Sequence, residues 1–237
     1  MKVRLGAMCG LLAVIAWTAV VAPARAQTET FDAVAPGGLP TGWSSTFTGA
    51  SGRRWVVGSG VSRSAPNALV LAPIANNTTS EVTSPSYVVP AAGAMRLRFY
   101  RRHAIEQGWD GLSLLISVNG SPFVDVESGG GVFTAGGYNY PSDPPQPGYW
   151  SGTETAFVET VLETAPLSLG DEVRFRWAAF FDESRIDGDL QIDDVEVSQP
   201  PPAPPVIPTM GAWAVLLLGL GLAAAAGAQL SRRARIA

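Results

Sequence analysis

Asp193 and Asp194 stand side by side in Leu190–Ser198, where a strand pattern changes phase. Leu190 and Ile192 share one parity, Val195 and Val197 the other, so one residue is added at the aspartates. That is the signature of a β-bulge, which re-aims the side chains around it. Two carboxylates aimed in this way make a candidate metal corner, and Asp182, Glu183, Asp187 and Asp189 crowd the preceding turn. The chain has one histidine and one cysteine, so the ligands would be oxygens, and an all-oxygen site selects calcium. The spacing of these acids is not that of an EF-hand loop, and a solvated acidic turn is the alternative reading of 182–189.

Other chemistries find less material. His103 is the sole histidine, following Arg101-Arg102; a His-rich metal centre is excluded, and a Ser-His-Asp triad would have to use this residue without a nucleophile elbow near it. A surface or hydrogen-bonded histidine is the simpler expectation. No pair of acids is singled out for glycoside hydrolysis, which depends on a distance in space. The glycines of 129–137 have no following Lys-Ser/Thr and no helix, so they form a loop and not a phosphate cradle. Tyr138, Tyr140, Tyr149 and Trp150 bracket the proline-rich 141–147. Aromatic rings on such a loop stack on sugars or anchor a partner; packing of Tyr149 and Trp150 over a sheet edge is the competing expectation.

These groups must be positioned by strands. In Asp171–Phe181, Val173, Phe175, Trp177 and Ala179 fall on one face and Arg174 and Arg176 on the other, the pattern of a half-buried strand. Trp55–Val57, Ala68–Leu71, Glu81–Val89, Met95–Tyr100, Leu112–Val118, Phe123–Val126 and Ala156–Leu162 are further strands. Asn119-Gly120 predicts a tight hairpin, because both central residues of a type I′ turn need positive φ. No sustained 3.6-residue apolar period occurs in 27–198, so the expected class is all-β, a jelly-roll β-sandwich. Arg96 and Arg98 on one polar face, and Arg174 and Arg176 on another, are expected to pair across strands with acids such as Glu159 and Glu163.

All 20 acidic residues lie between Glu29 and Glu196, together with 10 of the 16 basic ones, leaving that span at net −10. Such a domain repels nucleic acid and anionic lipid. Its only nearby cysteine, Cys9, precedes it, so the domain has no disulfide and relies on its core.

Taken in order, Phe31-Asp32, Leu39-Pro40-x-Gly42-Trp43, Thr83-Ser84-Pro85, Met95–Tyr100, Gly148-Tyr149-Trp150-Ser151-Gly152, and Val173–Arg176 leading to Leu190–Val195 resemble the MAM-like jelly-roll modules of bacterial surfaces, a group that includes the cleaved-adhesin and choice-of-anchor domains. The resemblance covers nearly all of 27–198. It implies an adhesion or carbohydrate-contacting module, and a structural calcium with Asp32 and Asp193 as ligands, joined by Asp194 or Asp110. The chain departs from the pattern in carrying Asp32 in place of Glu, and Asp189-Leu190 in place of Gly-Trp.

Both ends read as addresses. Residues 1–26 have a basic start, an apolar stretch and Ala24-Arg25-Ala26 before Gln27, the layout of a secretory signal peptide. Residues 199–208, QPPPAPPVIP, form a stiff polyproline linker. Residues 211–230 carry no charge and are followed by arginines in 231–237, as in a transmembrane helix with a cytoplasmic basic end. Ile207, Pro208, Thr209, Met210 and Trp213, then the apolar run and basic tail, resemble the IPTL-CTERM sorting signal of Gram-negative bacteria, which implies handling by a membrane-embedded sorting enzyme. The expected protein is an envelope-displayed, non-catalytic module for adhesion or for binding a glycan or extracellular polymer. A structural envelope or biofilm-matrix component is the second reading, and a secreted hydrolase the third.

Overall fold

The computed structural model describes residues 26–49, 52–72, 77–141, 146–182, 189–200 and 220. All but the last residue of the expected signal peptide at 1–26, most of the expected proline linker, the expected sorting motif at 207–213 and all but residue 220 of the apolar run at 211–230 lie outside them. Among the described residues, no helix is long and apolar enough to cross a membrane.

The described chain is all-β, with two antiparallel sheets facing each other across an apolar core. Its strands are β1 (Gln27–Glu29), β2 (Ser44–Thr48), β3 (Val56–Ser59), β4 (Asn67–Leu71), β5 (Thr78–Thr83), β6 (Tyr87–Val88), β7 (Arg96–Ala104), β8 (Gly111–Val118), β9 (Val124–Asp125), β10 (Val132–Ala135), β11 (Thr153–Glu163), β12 (Glu172–Phe181) and β13 (Leu190–Ser198). The first sheet runs β10-β11-β7-β13-β4-β3, with β1 also on β13; the second runs β2-β5-β12-β8-β9, with β6 also on β12.

Alternation decides which residues enter the core. On β12, Val173, Phe175, Trp177 and Ala179 are buried, as their parity requires. Trp177 stacks on Trp43 at 5.7 Å and meets Phe99 edge-on at 5.4 Å, which ties the two sheets together at their centre. Burying large side chains of this kind contributes about 1.5–3 kcal/mol each.

The phase change in β13 is a bulge. Its register against β7 shifts between Asp193 and Glu196, Asp194 adopts φ 49°, and Leu190, Ile192, Val195 and Val197 are all buried. The hairpin after β8 turns at Asn119 (φ 54°) and Gly120 (φ 73°), closed by Ser121 N–H donating to the Val118 carbonyl.

Three expectations change. The stretch 81–89 is two strands, broken at Ser84-Pro85 because proline has no N–H for the ladder. The glycine-rich 129–137 holds β10 as well as a turn. And β7 continues past Tyr100 with its alternation intact, which carries Arg101 and His103 onto the inner face, where both are buried.

Candidate functional site

The acidic residues singled out by the sequence are placed as fasteners. Asp193 is fully buried; its Oδ2 accepts the backbone N–H groups of Arg63 (2.8 Å) and Ser64 (3.1 Å), and its Oδ1 that of Asp194 (2.8 Å). Burial pushes this carboxyl up to about 6, against the pull of those N–H donors. Asp194 takes the Arg63 guanidinium on one oxygen (2.6 Å) and the Ser64 hydroxyl on the other (2.7 Å). Asp32 accepts the Asn67 N–H at 3.1 Å. Asp110 binds elsewhere, accepting the N–H of Asp182 (3.0 Å) and of Glu106 (3.4 Å).

A calcium ion needs six to eight oxygens with lone pairs turned toward it. Here both oxygens of Asp193, Asp194 and Asp110 face hydrogen-bond donors, and among the described residues no three acids, histidines or cysteines gather as a metal-holding group. In this arrangement the donor set does not fit calcium.

His103 faces the core with Arg101, whose Nη1 lies 3.3 Å from its Nδ1. Burial, then the Arg101 charge, drives the imidazole down to about 4. The Arg101 guanidinium lies over the Trp150 ring, 4.6 Å from its centroid. This is an internal polar contact: of the surface and hydrogen-bonded expectations for His103, the surface one is corrected, because β7 runs on to Ala104, four residues past the end at Tyr100 that the apolar pattern indicates.

The four loop aromatics divide into two pairs. Trp150 is 1% exposed, packs edge-on against Phe99 and Phe133, and donates its indole N–H to the Gly136 and Gly137 carbonyls. Tyr138 donates its hydroxyl toward the Leu114 carbonyl and Asp125 and accepts the Leu114 N–H, and burial pushes its phenol up. These two hold the loop to the sandwich and offer no stacking face. Tyr140 and Tyr149 turn outward as a pair, linked by reciprocal backbone hydrogen bonds and stacked at 4.7 Å with 6° between ring planes.

The pair is extended by Phe180, whose ring meets Tyr149 edge-on at 5.2 Å. Together with Pro141, Gln146 and Pro147 they line a cleft of about 520 Å³. Phe180 shares the parity of Arg174, Arg176 and Ala178, so it lies on the outer face of the second sheet. Its neighbour across the ladder is Gly111. A Cβ at Gly111 would lie 2.2 Å from Phe180 Cζ and 2.7 Å from Tyr149 Cδ2, so the glycine is the floor that lets both rings lie across β8. Four residues back along β12, about 13 Å away at strand spacing, Arg176 ion-pairs with Glu81 at 3.0 Å and lies over the Phe123 ring at 3.8 Å.

No family model and no curated protein matches the chain. Among solved structures, the K2 cleaved adhesin domain of Lys-gingipain is 15% identical, with 74% of this chain and 98% of that one covered and a TM-score of 0.47. A module solved in complex with beta-1,4-galactotriose is 13% identical, covering 68% and 90%, at 0.45. The CBM22-1 xylan-binding domain from Paenibacillus barcinonensis is 9% identical, covering 74% and 95%, at 0.44. At such similarity, what the cleft holds has to be read from its own residues.

Those residues supply ring faces, a side-chain amide and phenol hydroxyls, with no carboxylate, imidazole, amine or thiol among the described lining. Phe180 and Gly111 are absent from the sequence-derived candidates. The signal for Phe180 is present, since a phenylalanine on the arginine-bearing face of a strand is out of place there; nothing marks Gly111.

Proposed function

We propose that this chain is an exported, surface-displayed, non-catalytic module that binds a glycan in the cleft of Tyr140, Tyr149 and Phe180. The observation that carries the reading is the outward-facing stacked tyrosine pair set against Phe180 over the Gly111 floor. Sugar rings have an apolar C–H face and a rim of hydroxyls, and they suit an aromatic surface with a few polar groups beside it. Export and surface display rest on the signal-peptide pattern of 1–26 and the sorting-signal pattern that begins at Ile207.

The test is a glycan array probed with the labelled full-length chain and with Tyr149→Ala. Selective hits that vanish in the variant, with its thermal midpoint kept close to that of the parent, are the expected result. An array without selective hits overturns glycan recognition and turns attention to a matrix role without a discrete ligand.

A further inference from the structure

Phe180 has a second side. There it lines another hollow, of about 340 Å³, together with Thr79, Trp109, Asp182 and Asn77. Trp109 is 66% exposed, whereas Trp43, Trp55, Trp150 and Trp177 are all buried. Leaving an indole in water forgoes the largest hydrophobic gain any side chain offers, so what holds it there matters.

It is held by Asp110. This carboxylate is 1% exposed and bridges two elements, accepting the N–H of Glu106 in Trp109's own turn and the N–H of Asp182 at the end of β12. The turn is closed by the Trp109 and Asp110 N–H groups donating to the Glu106 carbonyl, and the Ser151 hydroxyl donates to the Asp110 carbonyl at 2.7 Å. A buried, desolvated carboxylate thus fixes the turn that carries the exposed indole to the strand end that forms the facing wall. The hollow shares its dividing ring with the tyrosine cleft.

We propose that Trp109 forms a second sugar subsite, continuous with the first across Phe180, and that the ligand is a neutral oligosaccharide long enough to occupy both. The proposal rests on the reading of the tyrosine cleft as a glycan site. Neutrality follows from the net −10 carried by residues 29–196, a field that repels a carboxylated or sulfated sugar.

The experiment is calorimetric titration of the full-length chain, purified in detergent, with neutral beta-1,4-linked galacto- and xylo-oligosaccharides of increasing length. Affinity is expected to climb with length until both hollows are filled and then to level off. Trp109→Ala should lower affinity for the long ligands about tenfold, the usual cost of truncating an aromatic anchor, and leave the shortest binding ligand unchanged. Trp109→Phe should restore most of the gain, and Tyr149→Ala should abolish binding at every length. Binding that does not strengthen with length, or long-ligand affinity indifferent to Trp109→Ala, overturns the second subsite while the first stands. No binding by any of these sugars to the unaltered chain, with an array also empty, overturns both.

Discussion

His103 and Asp193 are buried ionisable groups on the first sheet, and their protonation is shifted in opposite directions. The imidazole drops to about 4 from an ordinary 6.5, through burial and then Arg101, so between those values the unfolded chain binds a proton that the folded chain refuses. Stability from this group is present above pH 6.5 and is lost as pH falls toward 4. The Asp193 carboxyl rises to about 6 from 3.8. Here the folded chain takes the proton first, so this group's contribution is fully present below 3.8 and is lost as pH rises through 6. The two slopes oppose each other over the shared window, each worth about 3 kcal/mol at the unit conversion of 1.36 kcal/mol. Urea unfolding across that window should therefore show a shallow profile for the unaltered chain. His103→Gln should become more stable on acidification, and Asp193→Asn less; equal slopes in all three would remove these groups from the account. The bulge that buries Asp193 is legible in the sequence, because Leu190, Ile192, Val195 and Val197 record the change of phase. The burial of His103 is hidden: Arg101-Arg102-His103 reads as a polar strand end, and only the paired neighbours of β7 show that the alternation continues.

At the scale of elements, the cleft depends on β8 and β12 being set so that a glycine lies opposite Phe180. Gly111 has no unusual backbone requirement; the constraint comes from the rings above it, which a Cβ would meet at 2.2 and 2.7 Å. Gly111→Ala should cost about 1–3 kcal/mol, as overpacking does, and toward the lower end, since Phe180 is only partly buried and its ring can swing into solvent. Removing a core group on the opposite face of the same strand, in Leu114→Ala, should cost about 2–5 kcal/mol. Sugar binding should reverse that order, lost in Gly111→Ala and largely kept in Leu114→Ala, measured as urea midpoints beside array signal. A Gly111→Ala chain that binds normally would show that the ring arrangement is not what recognises the ligand. The strands themselves are readable from parity, and so is the outward course of Phe180. Trp109 is not, because its exposure is set by the Asp110 bridge between two segments 72 residues apart, which local pattern does not encode.

For the molecule as a whole, the decisive quantity is the net −10 carried by residues 29–196. The arginines of β7 do not offset it as a free basic stripe. Arg96 pairs with Glu163 at 2.7 Å, Arg98 with Glu196 at 2.5 Å, and Arg102 donates to Gln191 and the Thr155 carbonyl. Exposed pairs of this sort add little stability, but they spend the cations locally and leave the far field acidic. A ligand recognised through ring faces and hydroxyls gains nothing from that field. Its affinity should stay within about twofold as sodium chloride is raised from low to high concentration, since screening acts only on charged partners. An anionic polymer, in contrast, should be repelled most at low salt. Titration of an array-selected neutral sugar at both extremes measures this directly. Binding that collapses as salt rises would mean that opposite charges hold the complex, and a site with a cationic surface would then have to replace the aromatic cleft as the point of recognition.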